Sequence, residues 1–280
     1  MTKWNMILDV DRCNNCRNCF LSVLDEYAEN EHAGYSAPTP RKGAHLMEIN
    51  THERGSGQDL DVTYVPVTCN HCDDAPCMKT AEKGAVYKRP DGIVIIDPVK
   101  SKGQKQIAEA CPFGRVYWNE ELQIPQIWTF DAHLLDQGWE RPRMADACPT
   151  LAIETVKCSD AEMESRARRE NLRTLQPELG TKPRIYYRNL DRIFENFVSG
   201  SVLVKSADTL DVVEGAEVAL RRNEEKTIET RTDFFGDFRF TGLPCEATEI
   251  EIEVRSGGKT VSRRMTLARS GRVDPFILEA

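Results

Sequence analysis

The feature that most constrains this chain is the placement of its ten cysteines. Cys13, Cys16 and Cys19 form a triplet in "CNNCRNC", and Cys69, Cys72 and Cys77 form another in "CNHCDDAPC". Cys111 in "EACPFG" and Cys148 in "DACPT" stand singly before proline, while Cys158 and Cys245 fit no pattern. The first triplet stops one ligand short, because Val23 occupies the place four residues after Cys19. A [4Fe–4S] cubane takes four thiolates, and two-residue spacings let one loop wrap three of its corners. The last corner faces away and must be met by a cysteine from elsewhere. A following proline pushes that cysteine toward an extended conformation and removes an N–H that would need a partner in a dry pocket. Two triplets and two Cys-Pro singletons make two complete sets of four, so the missing ligand of each triplet lies far downstream.

Other uses of these cysteines fit less well. Disulfide frameworks belong to short secreted chains, and this one has 280 residues. Structural zinc uses paired knuckles, for which each triplet has one thiolate too many, although His71 within "CNHC" is a conceivable zinc ligand. A redox-active C-x2-C pair would sit in a thioredoxin-like βαβ context that the sequence lacks.

Length predicts two domains. From Met1 to about residue 195 the chain is irregular and rich in turns. It has brief strands in "NMILDV" and "GIVIIDP", a surface helix over 161–175 and an extended stretch over 176–190. From residue 196 to 280 the texture becomes short alternating segments between Gly, Asp and Asn turns, the pattern of an antiparallel sandwich. Alternation places Ala216, Val218 and Leu220 on one face, and likewise Ile250, Ile252 and Val254. It also buries Phe238 and Phe240, so that the aromatic run with Phe234 and Phe235 reads as core packing before a recognition patch.

A net charge of −8 argues against nucleic acid as a partner. No apolar run is long enough to span a bilayer, so no membrane partner is expected. The N-terminus, "MTKWNMILDV", lacks a secretory signal, and a cytoplasmic protein is expected. A folded subunit exported with a signal-bearing partner would read the same. The five histidines, His32, His45, His52, His71 and His133, read as hydrogen-bonded surface or loop residues rather than catalysts.

With triplets, Cys-Pro singletons and their order in view, residues 1–195 resemble the iron–sulfur subunits of molybdopterin oxidoreductases of the dimethyl sulfoxide reductase group. Those subunits duplicate a two-cluster ferredoxin module and carry four cysteine groups. Here the first group has Val23 in its fourth place and the second has Ala81. The third keeps only Cys111, with Ser101, Gln104 and Ile107 where ligands would fall. The fourth keeps only Cys148, with Trp128, Asp131 and Met144 in the other places. The family's wiring, carried over, joins Cys13, Cys16, Cys19 and Cys148 in one [4Fe–4S] cluster. It joins Cys69, Cys72, Cys77 and Cys111 in a second. Each lost cluster has lost all four ligands together, as if whole sites were dismantled, and Trp118 and Trp128 are candidates to fill space around or in place of clusters.

The chain as a whole, through "GAVYKRPDGIVIIDP", "ELGTKPRIYYRNL" and a sandwich containing "TRTDFFGDFRFTGL", is similar to the small subunits of phenol transhydroxylases and resorcinol hydroxylases. The resemblance implies an α+β architecture, a duplicated bacterial-ferredoxin-like domain followed by an all-β transthyretin-like or collagen-adhesin-B-like (CnaB-like) sandwich. The sandwich would be a docking module or stabilising ballast. The resemblance also implies a heterodimer with a large catalytic subunit that holds the molybdenum bis-molybdopterin guanine dinucleotide and the phenolic substrate. This chain would be the non-catalytic subunit, with an external redox carrier as a further candidate partner. Its clusters would transfer electrons or poise the molybdenum, and the gaps left in the usual linear wire favour poising. A purely structural role for the clusters, or a stand-alone ferredoxin-type carrier, are the competing readings.

Overall fold

The computed structural model describes residues 1–206, 209–222 and 227–279. The chain divides into two compact units, Met1–Thr51 with Tyr64–Leu190 and His52–Thr63 with Asp191–Ala280. The sequence places the division at 195/196. The contacts place it at 190/191, ahead of the long strand Glu195–Ser206. They also assign the tip of the hairpin Met47–Arg54/Asp61–Thr68 to the second unit. Its Arg54 there donates to the Glu195 carbonyl at 2.6 Å, a long-range contact that composition does not reveal.

In the first unit the strand Lys3–Asp9 is the centre of a three-stranded sheet, antiparallel to Ile153–Cys158 and parallel to Ile185–Arg188. Its run of Met6, Ile7 and Leu8 is buried throughout, as a strand covered on both faces requires. The register pairs Leu8 with Ile153. Five residues beyond Leu8 lies Cys13, and five before Ile153 lies Cys148, so the pairing delivers both cysteines to the same end of the sheet. The helix Asn18–Tyr27 follows, burying Cys19, Ser22, Val23 and Tyr27 along one face. Two short hairpins, Val86–Lys88/Val94–Ile96 and Tyr117–Asn119/Ile124–Gln126, complete the scaffold.

The expected surface helix spans Asp160–Arg169, opening on a Ser159–Glu162 capping box. It ends short of residue 175 because Asn171 turns left-handed (φ 49) and the Leu172 N–H returns to the Ala167 carbonyl at 2.8 Å. Within the extended stretch, Pro177–Leu179 forms a single 3-10 turn before the strand Ile185–Arg188.

The second unit is two antiparallel-rich sheets closed over one core. One is built on Glu195–Ser206 with Thr209–Val212, Asp237–Pro244, Gly271–Arg272 and Phe276–Glu279; the other orders Ile228–Arg231, Glu217–Arg221, Thr248–Ser256 and Lys259–Leu267. Ala216, Val218, Leu220, Ile250, Ile252 and Val254 meet Val198, Val202, Phe238, Phe240 and Phe276 between them, with the faces that alternation assigns. Phe234 and Phe235 stay exposed as a T-shaped pair in the preceding turn. Among the described residues, no helix is long and apolar enough to cross a membrane.

Gly200 sits opposite Phe238 in the strand register. A Cβ there would approach the Phe238 ring to 2.7 Å and Val273 to 2.9 Å. Gly200→Ala is therefore expected to overpack this core and lower unfolding free energy by about 1–3 kcal/mol, read by urea denaturation.

Candidate metal centres

The two triplets share two local features. In each, the residue before the second cysteine is left-handed, Asn15 at φ 57 and His71 at φ 45. In each, the third cysteine is the second residue of a helix, Cys19 in Asn18–Tyr27 and Cys77 in Pro76–Thr80. The Cys-Pro turns match as well. Each follows a short helix, Gln106–Glu109 or Arg143–Asp146. Each turns left-handed three residues after the cysteine, at Gly114 (φ 61) and Leu151 (φ 54). Each then directs an N–H at the sulfur: Arg115 donates to Cys111 Sγ at 3.4 Å and Ala152 to Cys148 Sγ at 3.3 Å. Such donors stabilise thiolate over thiol and tune a cluster's potential.

The structure gathers these thiols as two quartets. Cys13, Cys16, Cys19 and Cys148 are near enough to act on one another's ionisation. So are Cys69, Cys72, Cys77 and Cys111. Burial pushes the Cys19 and Cys77 thiols up to about 12. Alone they stay protonated at neutral pH, and only a bound cationic centre can hold them as thiolates. Cys16 is exposed and Cys13 half-buried, whereas Cys72 and Cys77 are buried, so the first quartet lies nearer solvent. Cys158 accepts a long contact from Asn5 Nδ2 at 3.7 Å, and exposed Cys245 donates to the Phe194 carbonyl. Neither joins a quartet.

Among the described residues, only Glu26, His32 and His133 form a set of three or more candidate ligands whose atoms all lie within 4.8 Å.

The Glu26–His32–His133 set is accounted for by its own contacts. His133 Nε2 meets Glu26 Oε1 at 2.8 Å, His32 Nε2 meets the Glu26 carbonyl at 3.0 Å, and Arg143 donates to Glu26 Oε2 at 2.6 Å. The two imidazoles stack 3.7 Å apart at 21°. Together with the Arg143–Asp25 pair, this network ties the helix carrying Cys19 to the helix that delivers Cys148.

Two histidines depart from the expected surface role. His133 is buried in that network. His71 is buried beside the second triplet, accepts from the Val94 N–H at 3.1 Å, and is held neutral by burial, its pKa lowered to about 3. Periodicity could not find either, since His71 lies in an irregular loop and His133 in a helix of only five residues, Ala132–Asp136.

The places where the resembled family carries further ligands are filled. Val23, Trp128, Asp131 and Met144 are all buried. The Trp128 indole and the Tyr27 hydroxyl both donate to Asp131 Oδ1 at 2.8 Å, and the Arg143 N–H donates to Oδ2 at 2.9 Å. Burial raises the Asp131 carboxyl despite these donors. In the other set Ser101, Gln104 and Ile107 are buried, and Gln104 binds the Glu82 N–H at 2.8 Å and the Lys100 carbonyl at 2.7 Å. Trp118, by contrast, is half-buried under Lys105 and fills no such place.

Comparison with known proteins agrees with this architecture. Residues 60–158 match the family described as a 4Fe-4S dicluster domain. The chain is 41% identical to the pyrogallol hydroxytransferase small subunit of Pelobacter acidigallici, over 94% of both chains. It is 30% identical to a tetrathionate reductase subunit of Salmonella typhimurium, over 69% of this chain and 74% of that one. The chain belongs to the iron–sulfur subunits of the molybdopterin oxidoreductases of the dimethyl sulfoxide reductase group. It is the iron–sulfur subunit of an enzyme complex, with a ferredoxin-like 4Fe-4S domain and a mostly β C-terminal region. Among solved structures, 5-hydroxyisourate hydrolase of Klebsiella pneumoniae aligns with 30% of this chain and 84% of its own at 18% identity, with a TM-score of 0.25. That is too low to argue from.

Asp131→Ala would leave the indole and the Arg143 N–H without an acceptor. It is expected to cost about 2–4 kcal/mol of stability while leaving iron content unchanged. Loss of iron would show that Asp131 is itself a ligand.

Proposed function

We propose that this chain is the iron–sulfur subunit of a heterodimeric molybdenum bis-pterin enzyme acting on hydroxylated aromatics. Cys13, Cys16, Cys19 and Cys148 would hold one [4Fe–4S] cluster, and Cys69, Cys72, Cys77 and Cys111 a second. The observation that carries the reading is the grouping of the eight cysteines into two quartets with matching turns before the second cysteine and after each Cys-Pro, in a chain similar along nearly its whole length to a pyrogallol hydroxytransferase small subunit. Bound there, each cluster supplies one-electron redox chemistry. This chain's own groups contribute the thiolates, the N–H donors to Cys111 and Cys148, and a water-poor surround. The large subunit would hold the bis-molybdopterin guanine dinucleotide and the phenolic substrate. The second unit, read as a transthyretin-like or CnaB-like sandwich, serves docking, with the cytoplasm as the place of assembly and an external carrier as a further partner.

Within this reading the clusters poise the molybdenum rather than carry a net current. Trp128, Asp131 and Met144, with Ser101, Gln104 and Ile107, occupy the places of the other two clusters, so the usual wire is interrupted. Stopped-flow mixing of the anaerobic complex with pyrogallol-type substrates is the test. Cluster absorbance is expected to persist through turnover. Fast stoichiometric bleaching would establish net electron transfer instead, and absence of turnover with any hydroxylated aromatic would overturn the substrate class.

A further inference from the structure

The second quartet has a charged partner that the motif does not announce. Lys88 ends the strand Val86–Lys88, and its side chain is largely buried, 16% exposed. Its ammonium donates to the His71 carbonyl at 2.8 Å and the Cys72 carbonyl at 2.9 Å, and pairs with Asp73 Oδ1 at 2.8 Å. An ammonium has three donors. All three are spent on the consecutive residues His71, Cys72 and Asp73, which centre on the second cysteine of the triplet.

Asp73 does not cancel this charge, because it is shared. Arg184, its side chain 5% exposed, donates to Asp73 Oδ1 at 2.8 Å and also reaches Asp160 at 2.7 Å. Lys3 contacts Asp73 at 3.5 Å and Asp160 at 2.8 Å. Three cations thus face two carboxylates, leaving one positive charge in excess behind the loop. The ammonium is near enough to Cys69 and Cys72 for its field to act on their ionisation. In the first quartet the residue after the second cysteine is Arg17, which is exposed and therefore screened by water and salt.

Reduction adds an electron to a cluster that is already anionic through its thiolates. A fixed cation in a poorly solvated surround favours the reduced form. We propose that Lys88 is a positioning residue that sets the reduction potential of the cluster held by Cys69, Cys72, Cys77 and Cys111, raising it. This rests on the two-cluster reading above.

The test is an EPR-monitored redox titration of the anaerobically purified complex, with the two signals assigned through Cys148→Ala, which retains only the second cluster. Lys88→Gln is expected to lower the reduced-to-oxidised ratio of the second cluster about tenfold at fixed poise, a shift of about 59 mV for one electron. It should leave the first cluster's potential in place, and Lys88→Arg should restore the native value. Asp73→Asn, which removes a carboxylate and keeps the ammonium, should move the potential the opposite way. Two cluster signals whose potentials ignore Lys88→Gln, or shift together, overturn the proposal, as does an unmoved or lowered potential in Asp73→Asn. A native complex without two [4Fe–4S] signals instead overturns the underlying reading, so the two failures are distinguishable.

Discussion

The first unit depends on closing each thiol triplet with a cysteine from a distant segment. A strand pairing does this for the first quartet. With Leu8 opposite Ile153, the chain leaving one strand and the chain entering the other reach the same place, and Cys13 and Cys148 arrive there from opposite directions. Arg143 then fastens the helix before Cys148 to Asp25 and Glu26 on the helix that carries Cys19. Burial pushes the Cys19 and Cys77 thiols up to about 12, so under the proposed ligation metal binding would be coupled to their deprotonation. A slip of the central strand by one residue would break the Leu8–Ile153 register and with it the delivery of Cys13 and Cys148 to one place.

Duplication is carried in backbone conformation more than in sequence. Asn15 and His71 share no chemistry, yet both turn left-handed before the second cysteine. Gly114 and Leu151 likewise share a left-handed turn, easy for glycine and costing leucine about 1–2 kcal/mol. The vacated positions show the complementary effect. At the first set of these positions Val23, Trp128 and Met144 are buried, and Asp131 accepts from the Trp128 indole, the Tyr27 hydroxyl and the Arg143 N–H.

The sandwich is legible in the sequence because alternation is local: each inward residue is named by its neighbour, as at Ile250, Ile252 and Val254. The membership of two quartets is legible in number from spacing and Cys-Pro context, while their partnership comes from family resemblance. What stays hidden is what only tertiary structure brings together. The tip of the hairpin at 52–63 joins the second unit across a long stretch of chain. Lys88 reaches the second triplet from a neighbouring strand, and Tyr27 meets Asp131 across a hundred residues of sequence. The helix at 160–169 ends early because a left-handed asparagine, an ordinary interior residue by propensity, serves as its stop.

The same closure separates this account most sharply from its rivals. Iron and acid-labile sulfide should be counted in the anaerobically purified complex carrying Cys148→Ala, beside the native one. Loss of about four of each, with the second cluster's signal intact, is the predicted result. An unchanged iron content in the variant, or zinc in place of iron in the native complex, would contradict it.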